Sequence, residues 1–297
     1  MAHARGKAHL ITFLMLFSSV AMLSSAAREE SPNFTGSVAP NRFEVGWQDS
    51  TYQDYDSNQI DVRLYYPASS AGEDVPVDCA WAPYPWLVFH GDDGEDRDAY
   101  EWFGRGLARG GYIVVVIGEE RSADRAWPAV MDHSELIAKM GYMNYSGGDL
   151  GDPPGIQGCI DMDHWGVAGH GIGAGLAAIV NSQWGRLLGT SAQPPRALIG
   201  LGLDTDQIGT TLDAFDQAAP NHALFLTGTV DEVAEANEHA IPFLDYWKGG
   251  WQLLEVVGAN HVQYEDDQSF LDNLFDGDAT MSAEEQQAHA ISKIKPY

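Results

Sequence analysis

Residues 164–175 read His164-Trp165-Gly166-Val167-Ala168-Gly169-His170-Gly171-Ile172-Gly173-Ala174-Gly175. Trp165 to Ala168 form a short apolar run of strand character, and Ala174 to Gln183 continue as a helix of small and apolar residues. Between them glycine returns at 169, 171, 173 and 175, the composition of a sharp turn whose backbones approach too closely for side chains. A strand that enters a helix through so tight a turn is a unit of a parallel sheet.

Outward from this unit the same alternation repeats. Strands are expected at Phe43–Gln53 and Ile60–Tyr66, joined by the turn Asp54–Gln59, and at Trp86–Phe89, Tyr112–Ile117, Ala197–Leu201, Ala223–Thr227 and Gln252–Val257. Helices are expected at Tyr100–Arg109, Pro128–Met140, Thr210–Gln217, Val233–Tyr246 and Ala283–Lys293. Continuous apolar strands alternating with helices predict an α/β fold: a mostly parallel, doubly wound sheet with helices on both faces. No repeat or shift in composition follows residue 43, so 43–297 reads as a single domain and 28–42 as a flexible lead-in.

The 297 residues carry 43 Asp+Glu against 16 Lys+Arg, a net charge of −27. So acidic a surface repels phosphate backbones and anionic lipid, which argues against nucleic-acid or membrane-surface partners for the mature chain. Asp accounts for 27 of the acids and Lys occurs five times, a balance suited to a saline medium or to a generically acidic exported protein. At the N-terminus, Arg5 and Lys7 precede the apolar run Leu10–Leu23 and the small residues Ser24 to Ala27. Residues 1–27 therefore read as a secretory signal peptide, with an uncleaved N-terminal membrane anchor as the alternative. Asn33 and Asn144 head glycosylation triplets, and nothing in the sequence sets an oligomeric state.

Gly169-His170-Gly171-Ile172-Gly173 resembles the G-x-S-x-G nucleophile elbow of α/β-hydrolases, with Gly171 where the family carries serine. Ile160–Asp163 leads into the strand as in dienelactone-hydrolase-like members, and Phe89-His90-Gly91 is similar to the oxyanion-hole loop. Leu226–Asp231 resembles the acid loop and Val257–His261 the histidine loop, in the family's chain order. The resemblance spans residues 43 to 295, nearest to dienelactone hydrolases, chlorophyllases, platelet-activating-factor acetylhydrolases and polyester hydrolases. It implies an α/β-hydrolase fold, Asp231 and His261 as acid and base, and the N–H groups of Asp92 and Ile172 as oxyanion hole. A small ester or apolar ligand is implied as partner, with no cofactor and no metal. In the family's sheet order the strands at Trp86 and Trp165 are adjacent and parallel. The resemblance therefore brings Cys79 and Cys159, a few residues before each, to one sheet edge, as a disulfide or as two free thiols.

The departure at Gly171 governs function, because a residue without a side chain cannot form an acyl intermediate. The run Asp92, Asp93, Glu95, Asp96, Asp98 adds carboxylates where an oxyanion hole needs preorganised positive dipoles. Three readings follow. The first is a pseudoenzyme of the carboxylic-ester hydrolase lineage that has lost serine catalysis and kept a ligand cleft. The second is a hydrolase whose His261–Asp231 pair activates water in the space left by Gly171. The third is an ordinary serine esterase with a sequence fault at residue 171. On the first and third, Gly171→Ser is expected to place a hydroxyl within reach of His261. The acidic run reads as a solvated loop, since Gly94 falls too early for a calcium loop. His170 reads as a packing residue, His90 as loop support, and Trp81, Tyr100 and Trp127 as core or cleft aromatics.

Overall fold

The computed structural model describes residues 42–117, 126–189, 193–206, 221–266, 268 and 272–294, all within the unit Ala39–Tyr297. The signal peptide, the sequon at Asn33 and the helix expected at Thr210–Gln217 lie outside the described residues. The strands are β1 (Glu44–Gln53), β2 (Gln59–Ala68), β3 (Gly72–Glu73), β4 (Tyr84–His90), β5 (Ile113–Ile117), β6 (Ile160–His170), β7 (Ala197–Leu201), β8 (His222–Gly228) and β9 (Trp251–Val256). They form one sheet of order β3-β1-β2-β5-β4-β6-β7-β8-β9. From β5 to β9 every neighbouring pair is parallel, while β2 runs antiparallel to both β1 and β5.

The helices are α1 (Glu101–Ala108), α2 (Ala126–Ser146), α3 (Gly171–Leu188), α4 (Ala240–Leu244), α5 (Asp272–Phe275) and α6 (Ala283–Ile294). Side-chain alternation along the central strands fills two cores. Leu87, Phe89, Val114 and Val116 pack with Phe103 and Leu107 of α1 and Ala290 of α6. Val88, Val115 and Val167 pack with Leu136 and Met140 of α2 and Ile179 of α3. Burial on both faces is why these strands are unbroken aliphatic runs, each side chain contributing about 1.5–3 kcal/mol. Among the described residues no helix is long and apolar enough to cross a membrane.

Several elements differ from expectation, α2 running on to Ser146, α3 to Leu188, and β3 and α5 being additional; two further differences have a clear physical reason. The helix expected over Val233–Tyr246 is only Ala240–Leu244. Pro242 has no N–H and its ring blocks the carbonyl four residues earlier, so a helix can hold it only in the first turn. Strand β6 starts at Ile160, five residues before Trp165, because Ile160 pairs with Tyr84 ahead of a register shift. Just outside that pair Cys79 and Cys159 form a disulfide, with Cα atoms 5.5 Å apart and a sequence separation of 80. The bridge ties the N-terminal ends of β4 and β6. At the other ends of these strands lie Asp92 and Gly171.

Candidate functional site

Gly171 follows the last residue of β6 and begins α3 in the left-handed region, at φ +52°. The neighbouring glycines are sterically required. A Cβ at Gly169 would strike the Gly173 backbone, and one at Gly173 would strike the backbone of His90 and Gly91. The turn thus lies directly against the end of β4. A Cβ at Gly171 would overlap the carboxylate of Asp92. Asp92 is therefore not part of a solvated loop: it turns inward, while Asp98 of the same run pairs with Arg63.

The Asp92 carboxylate is held on both oxygens. Ile172 N–H donates to its Oδ1 at 2.8 Å, and Oδ2 lies 2.9 Å from Nε2 of His261. Nδ1 of His261 lies 3.1 Å from Oδ2 of Asp231. Oδ1 of Asp231 accepts the N–H groups of Val233 and Ala234, which fixes the carboxylate although no α-helix begins there. The second expected oxyanion donor is also engaged, because Asp92 N–H donates to the Tyr100 hydroxyl at 2.8 Å. The structure thus brings Gly171, Ile172, Asp92, Asp231 and His261 together, with both backbone donors already occupied.

Burial works against the imidazolium of His261, but hydrogen bonds to Asp231 and Asp92 raise its pKa well above 6.5. Burial likewise opposes the charge on Asp92, and the His261 hydrogen bond outweighs it, holding that carboxyl well below the usual range. The result is a cation between two anions. His170, fully buried beside them with ring centroids 4.4 Å from His261, is pushed down to about 3 by burial and by the His261 charge, and is neutral.

Several participants have no local sequence signal. Asp276 accepts four backbone N–H groups, those of His261 and Val262 on one oxygen and Glu232 and Gly277 on the other. It locks the histidine loop to the acid loop. Gly202, at φ +47°, leaves room for the pair, since a Cβ there would lie 2.8 Å from Nδ1 of His261. Tyr100 reaches Nδ1 of His170 at 3.2 Å, and Glu265 lies 3.5 Å from the same atom. A glycine at the C-terminal end of a parallel strand, as at Gly202, was the one usable cue. His90 pairs with His133 of α2 at 2.8 Å, Trp81 packs near the disulfide and Trp127 is half exposed. Asn144 points its Oδ1 at the N–H of Ile160, an engaged position for a glycosylation acceptor. No protein-family model and no curated protein matches the chain.

Proposed function

We propose that this chain is an exported protein of the α/β-hydrolase fold, from the carboxylic-ester hydrolase lineage, that has lost serine catalysis. The sheet order, the tight strand-to-helix turn at Gly171 and the disulfide, which suits an oxidising compartment, support that reading. One observation carries the loss of chemistry: the Asp92 carboxylate stands where a side chain at residue 171 would need to be, and takes both the Ile172 N–H and Nε2 of His261. A small ester or apolar molecule remains the ligand class that the lineage implies.

The other two readings fare worse on the same geometry. A water-activating base needs a free ring nitrogen, and both nitrogens of His261 are engaged. A sequence fault would alter residue 171 alone, yet Asp92 is positioned as though fitted to its missing side chain. Gly171→Ser alone is consequently not expected to restore the site, because Asp92 occupies the space from which the sequence reading brought a new hydroxyl within reach of His261.

Fluorophosphonate labelling tests this. Wild type and Gly171→Ser should both remain unlabelled, and Asp92→Gly combined with Gly171→Ser should gain label, the new hydroxyl having His261 within reach. Labelling of Gly171→Ser alone would restore the sequence-fault reading. Ester hydrolysis by wild type that disappears in His261→Ala would establish the water-activating one.

A further inference from the structure

A Cβ-free residue, a carboxylate and two histidines converge at the end of β6, and the serine reading leaves one of the histidines unexplained. His170 is fully buried, and its Nε2 makes no well-formed hydrogen bond, although the His261 backbone lies near enough to the ring to act on it. A buried imidazole nitrogen without a well-formed bond is a loss that a ligand would repair. One ligand atom from each of Asp92, His170 and His261 lies within 4.8 Å of the other two.

We propose that Asp92, His170 and His261 together form a divalent transition-metal site of zinc type at the position a nucleophilic side chain would fill. The inference goes beyond the loss of serine chemistry and does not rest on the hydrolase lineage. Two imidazoles and one carboxylate suit zinc and its first-row neighbours, whereas Ca²⁺ and Mg²⁺ select oxygen donors. Bonds of about 2.0–2.1 Å place tetrahedral ligand atoms about 3.3 Å apart. The Asp92–His261 pair, at 2.9 Å, need open only slightly, and His170 must close in.

The surrounding groups are those such ligands require. Asp231 holds Nδ1 of His261 at 3.1 Å, which assigns the proton to Nδ1 and directs Nε2 inward as the donor. Glu265 and Tyr100 lie at Nδ1 of His170, and a proton assigned there leaves Nε2 with its lone pair. Gly171 has no side chain and leaves its place to the Asp92 carboxylate, whose partial exposure gives an entry from solvent. A second cluster, Asp204, Asp206 and His239, lacks this character, because Nδ1 of His239 already accepts the N–H of Thr205.

The test uses the whole exported protein, stripped with a chelator and titrated with ZnCl₂ and CoCl₂ by calorimetry and absorption. One ion should bind per chain, with Co²⁺ giving d–d bands. Asp92→Asn, His170→Phe and His261→Ala should each weaken zinc by at least about 100-fold, and Asp231→Asn by about 10- to 100-fold. His239→Asn should leave affinity unchanged. X-ray absorption on zinc-loaded wild type needs no variant, and should count two imidazoles on the metal. Absence of stoichiometric binding, binding abolished by His239→Asn, or fewer than two imidazoles would overturn the site. None of these outcomes bears on the fluorophosphonate result, so the two readings fail separately.

Discussion

Nε2 of His261 lies 2.9 Å from Oδ2 of Asp92, so the histidine that the resemblance marks as base is paired with a carboxylate instead of facing a hydroxyl or water. With Asp231 on the other nitrogen, the histidine is an ion-pair bridge between the loop after β4 and the loop after β8.

That bridge sets a pH signature in metal-free protein. His261 is raised above 6.5, so its contribution to stability is complete below that pH and erodes as pH climbs through the folded-state value. Asp92 is depressed below 3.8, so its contribution is present above that pH and lost as pH falls. The stability gap between wild type and His261→Ala, read from urea midpoints, should be widest between pH 3.8 and 6.5 and should narrow above it. A gap that widens on the alkaline side would contradict the pairing.

Gly171→Ser should destabilise the fold on two counts. A non-glycine residue in the left-handed region costs roughly 1–2 kcal/mol, and overpacking against Asp92 roughly 1–3 kcal/mol more. Thermal melts should show a large loss for the single variant, with the packing part recovered in Asp92→Gly/Gly171→Ser. Additive losses in the double variant would mean that the two residues do not share space.

Asp276→Ala should cost about 2–4 kcal/mol, because four backbone N–H groups, those of His261, Val262 and Gly277 buried, lose their acceptor at once. Denaturant unfolding measures the loss. Asp276→Asn should retain part of it, since its amide oxygen still accepts at one end.

The Cys79–Cys159 bridge should be found by non-reducing mass spectrometry as a pair two mass units below the dithiol (a loss of two hydrogens). Replacing both cysteines by serine should cost about 2–4 kcal/mol on the loop-entropy account. Free thiols in the protein purified without reductant would refute the bridge.

The strand-and-glycine pattern made the sheet legible because buried parallel strands and close backbone crossings leave composition marks: aliphatic runs at 113–117, glycines at 169 and 173. Helix Val233–Tyr246 failed because a single proline outweighed an otherwise helical composition. The resemblance pointed to Asp231 and His261, which the structure brings together with Gly171, but the inward turn of Asp92 is a side-chain rotation within a loop, on which sequence is silent. Asp276 lies 15 residues beyond His261 and reaches the site only through tertiary packing. The three proposed metal donors sit at 92, 170 and 261, on two loops and the end of β6, so no short ligand spacing exists for a sequence scan to find.

The overlap between Asp92 and any side chain at residue 171 also has a historical consequence. On the proposed lineage, serine chemistry cannot be regained by either replacement alone: serine at 171 meets the carboxylate, and loss of the carboxylate leaves no nucleophile while stranding the His261 cation. Each intermediate is worse than its parent, so the two positions behave as a ratchet. On the proposed lineage, change at a single codon cannot undo the loss, which leaves the pocket to whatever the carboxylate and the two histidines do together.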